Sequence, residues 1–413
     1  MRIAIFAIFL LTTAFGFLLK YLTYSHRNAP LPENVRDVYD EETYKKNQEY
    51  KMETLRYSIV TGFVGAVLTL LILGFNFHHF LYGLITARTS NLYLVSLFII
   101  FLPALILALA DRILDIYSTF GIEAKFGFNK TTPATFVFDS LKMLVLMLIL
   151  LGGLLSLFLL LYTLMGDWVF LAFFFVLVAF MLFISFIFPL LIRIFYKLTP
   201  LPEGELRDKI QAFADKTGYR LKGIYSVDAS KHSTKMNAFA SGFGKTKTIG
   251  LFDTLIEKMT HDEIIGVLAH EIAHAKKRHV LKSLPLRLAS YVVLLAIGFF
   301  VVTNPQASQA FGFYDTNLAF GLYILFIVAA PLMTVMMIPQ MAQSRKYEYE
   351  ADKFEVEHVG AATAISSMKK LYLDSLGDLT PHPFVVLVED SHPPASQRIA
   401  AMEMAERNFQ KKG

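Results

Sequence analysis

The stretch VLAHEIAHAKKRH, residues 267–279, places three histidines and one glutamate within ten residues of a chain that is otherwise strongly apolar. It lies in the longer segment THDEIIGVLAHEIAHAKKRHVLKSL, where Thr260 is followed three residues later by Glu263, a helix-capping pair. Apolar positions at Ile264, Ile265, Val267, Leu268, Ile272 and Ala273 continue a helical stripe. On such a helix His270 and His274 stand four residues apart, about 40° around the axis, so both imidazoles face one side. Two such rings can share one zinc ion, and Glu271 beside them can reach an attacking water without touching the metal. His279 follows His270 by nine positions and falls near the opposite side of a continuous helix, at about 180°. With Ala275, Lys276, Lys277 and Arg278 in between and no glycine to break the helix, His279 is expected to be structural rather than a ligand.

The surroundings of this helix are of membrane grade. Hydrophobic residues make up 55% of the 413 and charged residues only 18%, too apolar for an ordinary soluble protein. Cysteine is absent, which removes disulfides and thiolate metal sites and leaves histidine and carboxylate as donors. A formal charge of +5 over this length gives no case for nucleic-acid binding.

Apolar runs of about 20 residues, enough to cross roughly 30 Å of hydrocarbon, occur at 3–22, 58–76, 92–110, 141–164, 169–194, 284–302 and 318–338. Nearly all Lys and Arg fall in 23–57, 111–140, 195–283 and 339–413, whereas 77–91 has only Arg88 and 165–168 and 303–317 have none. Positive residues favour the cytoplasm, so seven spans with the N-terminus outside account for every segment. Arg2 before an apolar run is also how a secretory signal begins. The length of the run, the missing small-x-small cleavage site and the basic stretch 27–56 after it all favour an uncleaved span. His78 and His79 are expected to be interfacial residues.

The reading is therefore a mainly α, polytopic membrane protein with a small α+β domain in water, in four pieces. Residues 1–198 hold five spans and their loops, 199–283 the first part of the soluble domain, 284–338 the last two spans and 339–413 the second part. Within 199–283, LPEGELRDKIQAFADKTGY is helical in pattern, while LKGIYSVDAS and KTKTIGLFDTLI alternate like short strands.

Two histidines need a third protein donor if water is to take the fourth position. The stretch QSRKYEYEADKFEVEH after the last span offers Glu348 and Asp352 four apart on one helical face, one for the metal and one for a ligand histidine's second nitrogen. Glu350, Glu355 and Glu357 are expected on other faces, and spacing alone does not choose among these carboxylates.

Five stretches taken together choose. VLAHEIAHAKKRH, SRKYEYEADKF, NAFASGFGKTKTIGLFDTLI, SHPPASQRI and FGIEAKFGFNKTT, with seven spans, resemble the type I CAAX prenyl proteases, integral-membrane zinc metalloproteases that trim prenylated C-terminal motifs. The resemblance implies a ring of seven helices around a chamber. It implies one zinc ion held by His270, His274 and Glu348, with Glu271 as general base and Asp352 behind the ligands. It places Asn237 and His392 at the site to assist substrate or transition state, and residues Asn237, Ala238, Phe239, Ala240 and Arg398 with the substrate. A segment such as 237–241 can act as an edge strand that a peptide joins. Phe239 stands where the family has tyrosine, and Lys235 and Met236 where it commonly has His-Ser.

The implied partners are the lipid bilayer and a prenylated or membrane-associated peptide. A bacterial plasma membrane is the first expectation and the endoplasmic reticulum the second, with the catalytic domain cytoplasmic. Two rivals stand beside this reading: a quality-control zinc protease of the same clan, and a non-catalytic channel or scaffold with structural zinc.

Overall fold

In the computed structural model, residues 1–242 and 247–411 are described. The membrane part contains α1 (Arg2–Ser25), α2 (Glu41–Gly74), α3 (Phe77–Thr86), α4 (Leu92–Tyr117), α5 (Pro133–Met165) and α6 (Val169–Phe195). A soluble segment follows with β1 (Leu198–Pro200), α7 (Glu205–Lys216), β2 (Gly223–Val227), β3 (Ala238–Ser241), β4 (Thr248–Phe252), α8 (Asp253–Lys258) and α9 (His261–Lys276). The chain then re-enters the membrane part as α10 (His279–Val302), α11 (Pro305–Gln309) and α12 (Leu318–Val359), and ends with α13 (Ala361–Ser375), α14 (Pro383–Val388) and α15 (Ala395–Gln410).

Among the described residues, six stretches are long and apolar enough to cross a membrane, the longest being Pro133–Phe188 with 56 residues. A straight helix of that length would measure about 84 Å, far beyond the hydrocarbon thickness. It is two helices: Gly166, at φ +59°, reverses the chain, and α6 packs back against α5. Seven crossings result, one for each apolar run. The helices outrun the hydropathy at their wet ends. Asp40 accepts a hydrogen bond from the Thr43 N–H and starts α2 well before the apolar run, and α12 continues 21 residues past position 338.

The seven long helices close a ring. Each of α1, α2, α4, α5, α6, α10 and α12 packs on the next, and α12 returns to α1. Only 11 to 33% of each apolar window is buried, whereas a packed bundle would bury a full face of every helix. The remaining surface faces lipid or an enclosed space, where cavities of about 370 and 350 Å³ open along the inner sides of α1 and α2. One end of the ring is plugged by Phe311, Phe313 and Phe320 and by Val95, Ile99 and Ala319. His78 belongs to that plug: it is buried, its Nδ1 lies 3.0 Å from the Ile99 carbonyl, and its ring packs on Tyr323. It is a core residue rather than the interfacial one expected.

At the other end sits the soluble domain, a four-stranded sheet ordered β1-β2-β4-β3 in which only the β2–β4 pair is parallel. Both expected strands form, although Lys245 and Thr246 of the second lie outside the described residues. Helix α9 buries Ile264, Leu268 and Ile272 against Ile249, Leu251 and Ile210. A second core does not respect the expected division of the chain, because Val35, Val38, Ile122 and Phe126 from the first 198 residues pack with Met368, Ile399 and Met402. Thus 33–39 and 120–128 join the soluble domain, and all four basic segments gather at one end of the ring.

Candidate active site

Helix α9 begins with the capping box the sequence announces: the Thr260 side chain accepts from the Glu263 N–H, and the Glu263 carboxylate accepts from the Thr260 N–H. From that start the helix carries His270 and His274 to one face, with their Nε2 atoms 3.1 Å apart. Helix α12 packs along α9 and brings Glu348 to the same point, Oε2 at 3.3 Å from His270 Nε2 and Oε1 at 3.5 Å from His274 Nε2.

These three donors fit a tetrahedral metal ion. Bonds of about 2.0–2.1 Å set ligand-to-ligand edges of about 3.3 Å, close to the three observed separations. Glu348 is 4% exposed, and among the described residues its Oε2 has no hydrogen-bond partner. The Arg398 Nη2 stands 3.5 Å from it, beyond an ordinary hydrogen bond, so this buried oxygen still lacks a direct partner, which is costly unless one is supplied. A second donor group, His270, Asp352 and Glu355, gathers behind the first, but Arg398 Nη2 stands 2.6 Å from Asp352 Oδ1 and already supplies the positive charge there.

Asp352 Oδ1 lies 3.0 Å from His270 Nδ1, while Arg398 from α15 donates to both Asp352 oxygens. The carboxylate is thereby fixed against the back of the imidazole. Arg398 is nearly buried, and its guanidinium is engaged with Asp352 and faces Glu348 Oε2 at 3.5 Å. That places it behind the donors, not on the side open to a substrate. Burial pushes the Glu271 carboxyl above its ordinary range, with His270 and Arg398 opposing and Glu348 reinforcing. A group so raised holds a proton more readily, as a base in peptide hydrolysis must.

His392 is largely exposed and turns Nε2 to within 3.4 Å of Glu348 Oε1. Its loop is tied down by Arg345, which donates to the Val386 and Asp390 carbonyls from three residues before Glu348. Among the described residues, strand β3, Ala238–Ser241, pairs with β4 on one side only, and it packs beside α9 with its other edge near the donors. The exposed Asn237 precedes it, and the Phe239 ring lies over Gly250, where a β-carbon would collide with it, and near Phe188. Lys235 reaches Glu123 and Tyr50, anchoring the approach to this strand on the 120–128 loop.

Two expectations fail in geometry. Residues 275–278 do not keep one helix running: Arg278 adopts the left-handed conformation, φ +56°, and α10 starts at His279. The turn swings His279 back onto the site, where its Nδ1 stands 3.0 Å from His274 Nδ1. His279 belongs to neither donor group among the described residues, and it is not on the far side of the helix. Glu355, in turn, shares the face of Glu348 and Asp352, lies 3.8 Å from His270 Nδ1 and accepts from Ser367. Its spacing of seven from Glu348, two helical turns, was the signal for it.

A model of Peptidase family M48 matches residues 200–406, and one described as the CAAX prenyl protease N-terminal region, five membrane helices, matches 20–197. The "CAAX prenyl protease 1 homolog" of Oryza sativa is 33% identical over 302 residues, covering 72% of this chain and 71% of that protein. The chain belongs to this family. Its human relative of the same name is 28% identical over 430 residues, 93% of this chain and 90% of the relative. A solved structure, "Crystal Structure of S. mikatae Ste24p", superposes with a TM-score of 0.92 at 26% identity over 97% of this chain and 99% of that one. The protein is accordingly a multi-pass integral-membrane metallopeptidase of the CAAX prenyl protease 1 family, with the donor triad at one end of its helical ring.

Proposed function

We propose that the chain is a zinc endopeptidase cleaving prenylated C-terminal CAAX peptides, or other membrane-associated peptides, at the cytoplasmic end of the ring. The observation that carries this reading is the convergence of His270 Nε2, His274 Nε2 and the Glu348 carboxylate, with separations of 3.1 to 3.5 Å, beside the raised carboxyl of Glu271.

A single zinc ion held there would polarise the scissile carbonyl and acidify the attacking water. Glu271 accepts the proton of that water as it adds to the carbonyl and passes it to the leaving amine. The substrate backbone lies along the open edge of β3, at Asn237, Ala238, Phe239 and Ala240, so that it is extended when cut. His392 donates toward the carbonyl oxygen as negative charge develops on it. Asp352 holds the His270 ring, and Arg398 holds Asp352. We assign this end to the cytoplasm because the basic segments collect there. The membrane is taken as bacterial, since 195–283 runs between the fifth and sixth spans without a long insertion.

The test uses purified protein and its Glu271→Gln variant on a farnesylated CAAX peptide and on an unprenylated membrane protein. Wild type is expected to cut the farnesylated peptide, and the variant to retain zinc with activity lower by about 10²–10⁴-fold. Cleavage of the membrane protein alone would transfer the assignment to quality control. Zinc-loaded wild type that cuts neither would overturn the peptidase mechanism.

A further inference from the structure

His279 is 3% exposed and lies flat on Tyr347, with ring centroids 4.2 Å apart and planes within 4°. Its Nδ1 faces His274 Nδ1 at 3.0 Å and its Nε2 faces Glu350 Oε2 at 3.5 Å. The role assigned to His274 above does not require a second imidazole behind it. Yet the chain adopts a left-handed conformation at Arg278 to place one there, which a residue with a β-carbon disfavours.

Two ring nitrogens 3.0 Å apart cannot both carry protons, nor can both be bare without repulsion; one donates and the other accepts. His274 must present a bare Nε2 to hold a metal, and a neutral imidazole has a single N–H, so its proton is on Nδ1. The partner nitrogen, His279 Nδ1, is then the acceptor, and the proton of His279 sits on Nε2, pointing toward Glu350. We propose that His279 is a positioning residue of the metal site: by accepting from His274 Nδ1–H it fixes the tautomer and ring orientation that turn His274 Nε2 to the metal. The inference rests on the reading of His274 as a ligand. The two ligand histidines are thus backed differently, His270 directly by the Asp352 carboxylate and His274 by an imidazole that itself leans on Glu350.

Side-chain shape separates this role from packing. Phenylalanine keeps the stack on Tyr347 but offers no acceptor. Asparagine puts a carbonyl oxygen near the place of Nδ1, whereas glutamine puts its amide near the place of Nε2. Full-length protein in detergent is loaded with zinc, and its transfer to a chromogenic chelator is timed for wild type, His279→Phe, His279→Gln, His279→Asn and His274→Ala. Thermal unfolding of each zinc-free form is recorded alongside.

His279→Phe and His279→Gln are expected to release zinc about 10–100-fold faster than wild type. His279→Asn should stay within a few-fold of wild type, and the zinc-free Phe variant should melt with wild type. Phe and Gln variants that hold zinc as wild type does would overturn the proposal; if the Phe variant fails to fold, the Gln and Asn pair decides. A His274→Ala protein that releases zinc no faster than wild type would overturn instead the ligand reading on which the proposal stands.

Discussion

Arg398 grips both oxygens of Asp352, Nε at 2.9 Å and Nη2 at 2.6 Å, and the pair is almost wholly shielded from solvent. Two charges taken out of water are tolerated because each satisfies the other, and removing one leaves its partner stranded. Arg398→Ala is therefore expected to cost about 3–5 kcal/mol, read as a lower melting temperature in detergent. The double variant Arg398→Met with Asp352→Asn should melt above Arg398→Ala while still losing zinc faster than wild type, because His270 Nδ1 has lost its carboxylate. A double variant melting no higher than Arg398→Ala would show that the ion pair is not what carries the loss.

Gly250 has no freedom to grow. Its cross-strand neighbour is Phe239, whose ring occupies the space a β-carbon would need. Gly250→Ala is expected to lower stability by about 1–3 kcal/mol through overpacking and, by displacing the edge strand, to raise KM for a peptide more than it lowers kcat. Phe239→Ala in the same protein should recover the stability. An unchanged KM in Gly250→Ala would argue against β3 as the strand a peptide joins.

Glu263 does more than cap a helix. Burial works to raise its carboxyl, but hydrogen bonds from Lys370, Ser366 and Thr260 outweigh this and hold it at about 2, below the ordinary value of 4.5. A depressed carboxyl stabilises the fold above its unfolded-state pKa and loses that contribution as pH falls toward the folded-state value. Zinc-stripped protein is expected to lose melting temperature between pH 4.5 and about 2, and Glu263→Gln should be less stable at neutral pH with a flatter profile over that window. Parallel profiles for the two proteins would exclude the carboxylate as the cause.

What was legible followed from local periodicity. The seven apolar runs found their helices because hydrocarbon imposes a length and a composition, and His270 and His274 found one face because four residues of unbroken helix leave them about 40° apart. Hydropathy marks where lipid ends and not where a helix ends, so the wet continuations of α2 and α12 were not legible from it. Arg278 is the instructive failure: glycine usually marks a left-handed break, and an arginine there gives no sign that tertiary packing will bend the chain. The joining of Val35 and Phe126 to Met402 was hidden for another reason, since partners so distant in the chain leave no periodic trace in either segment.

Helix α12 runs without interruption from the plugged end of the ring to Val359, carrying Glu348 about 45 Å along its axis from Leu318. The carboxylate that completes the donor triad is thus mounted on a shaft set in the bilayer, while the two histidines ride on a helix embedded in the soluble sheet. A tilt of that shaft at Pro331 or Pro339, or a change in lipid thickness, would act on Glu348 directly and on the histidines only through the packing of α12 on α9. Membrane thickness is in this sense a variable of the coordination geometry, and an excised soluble domain would keep the histidines while losing the shaft that aims the third donor.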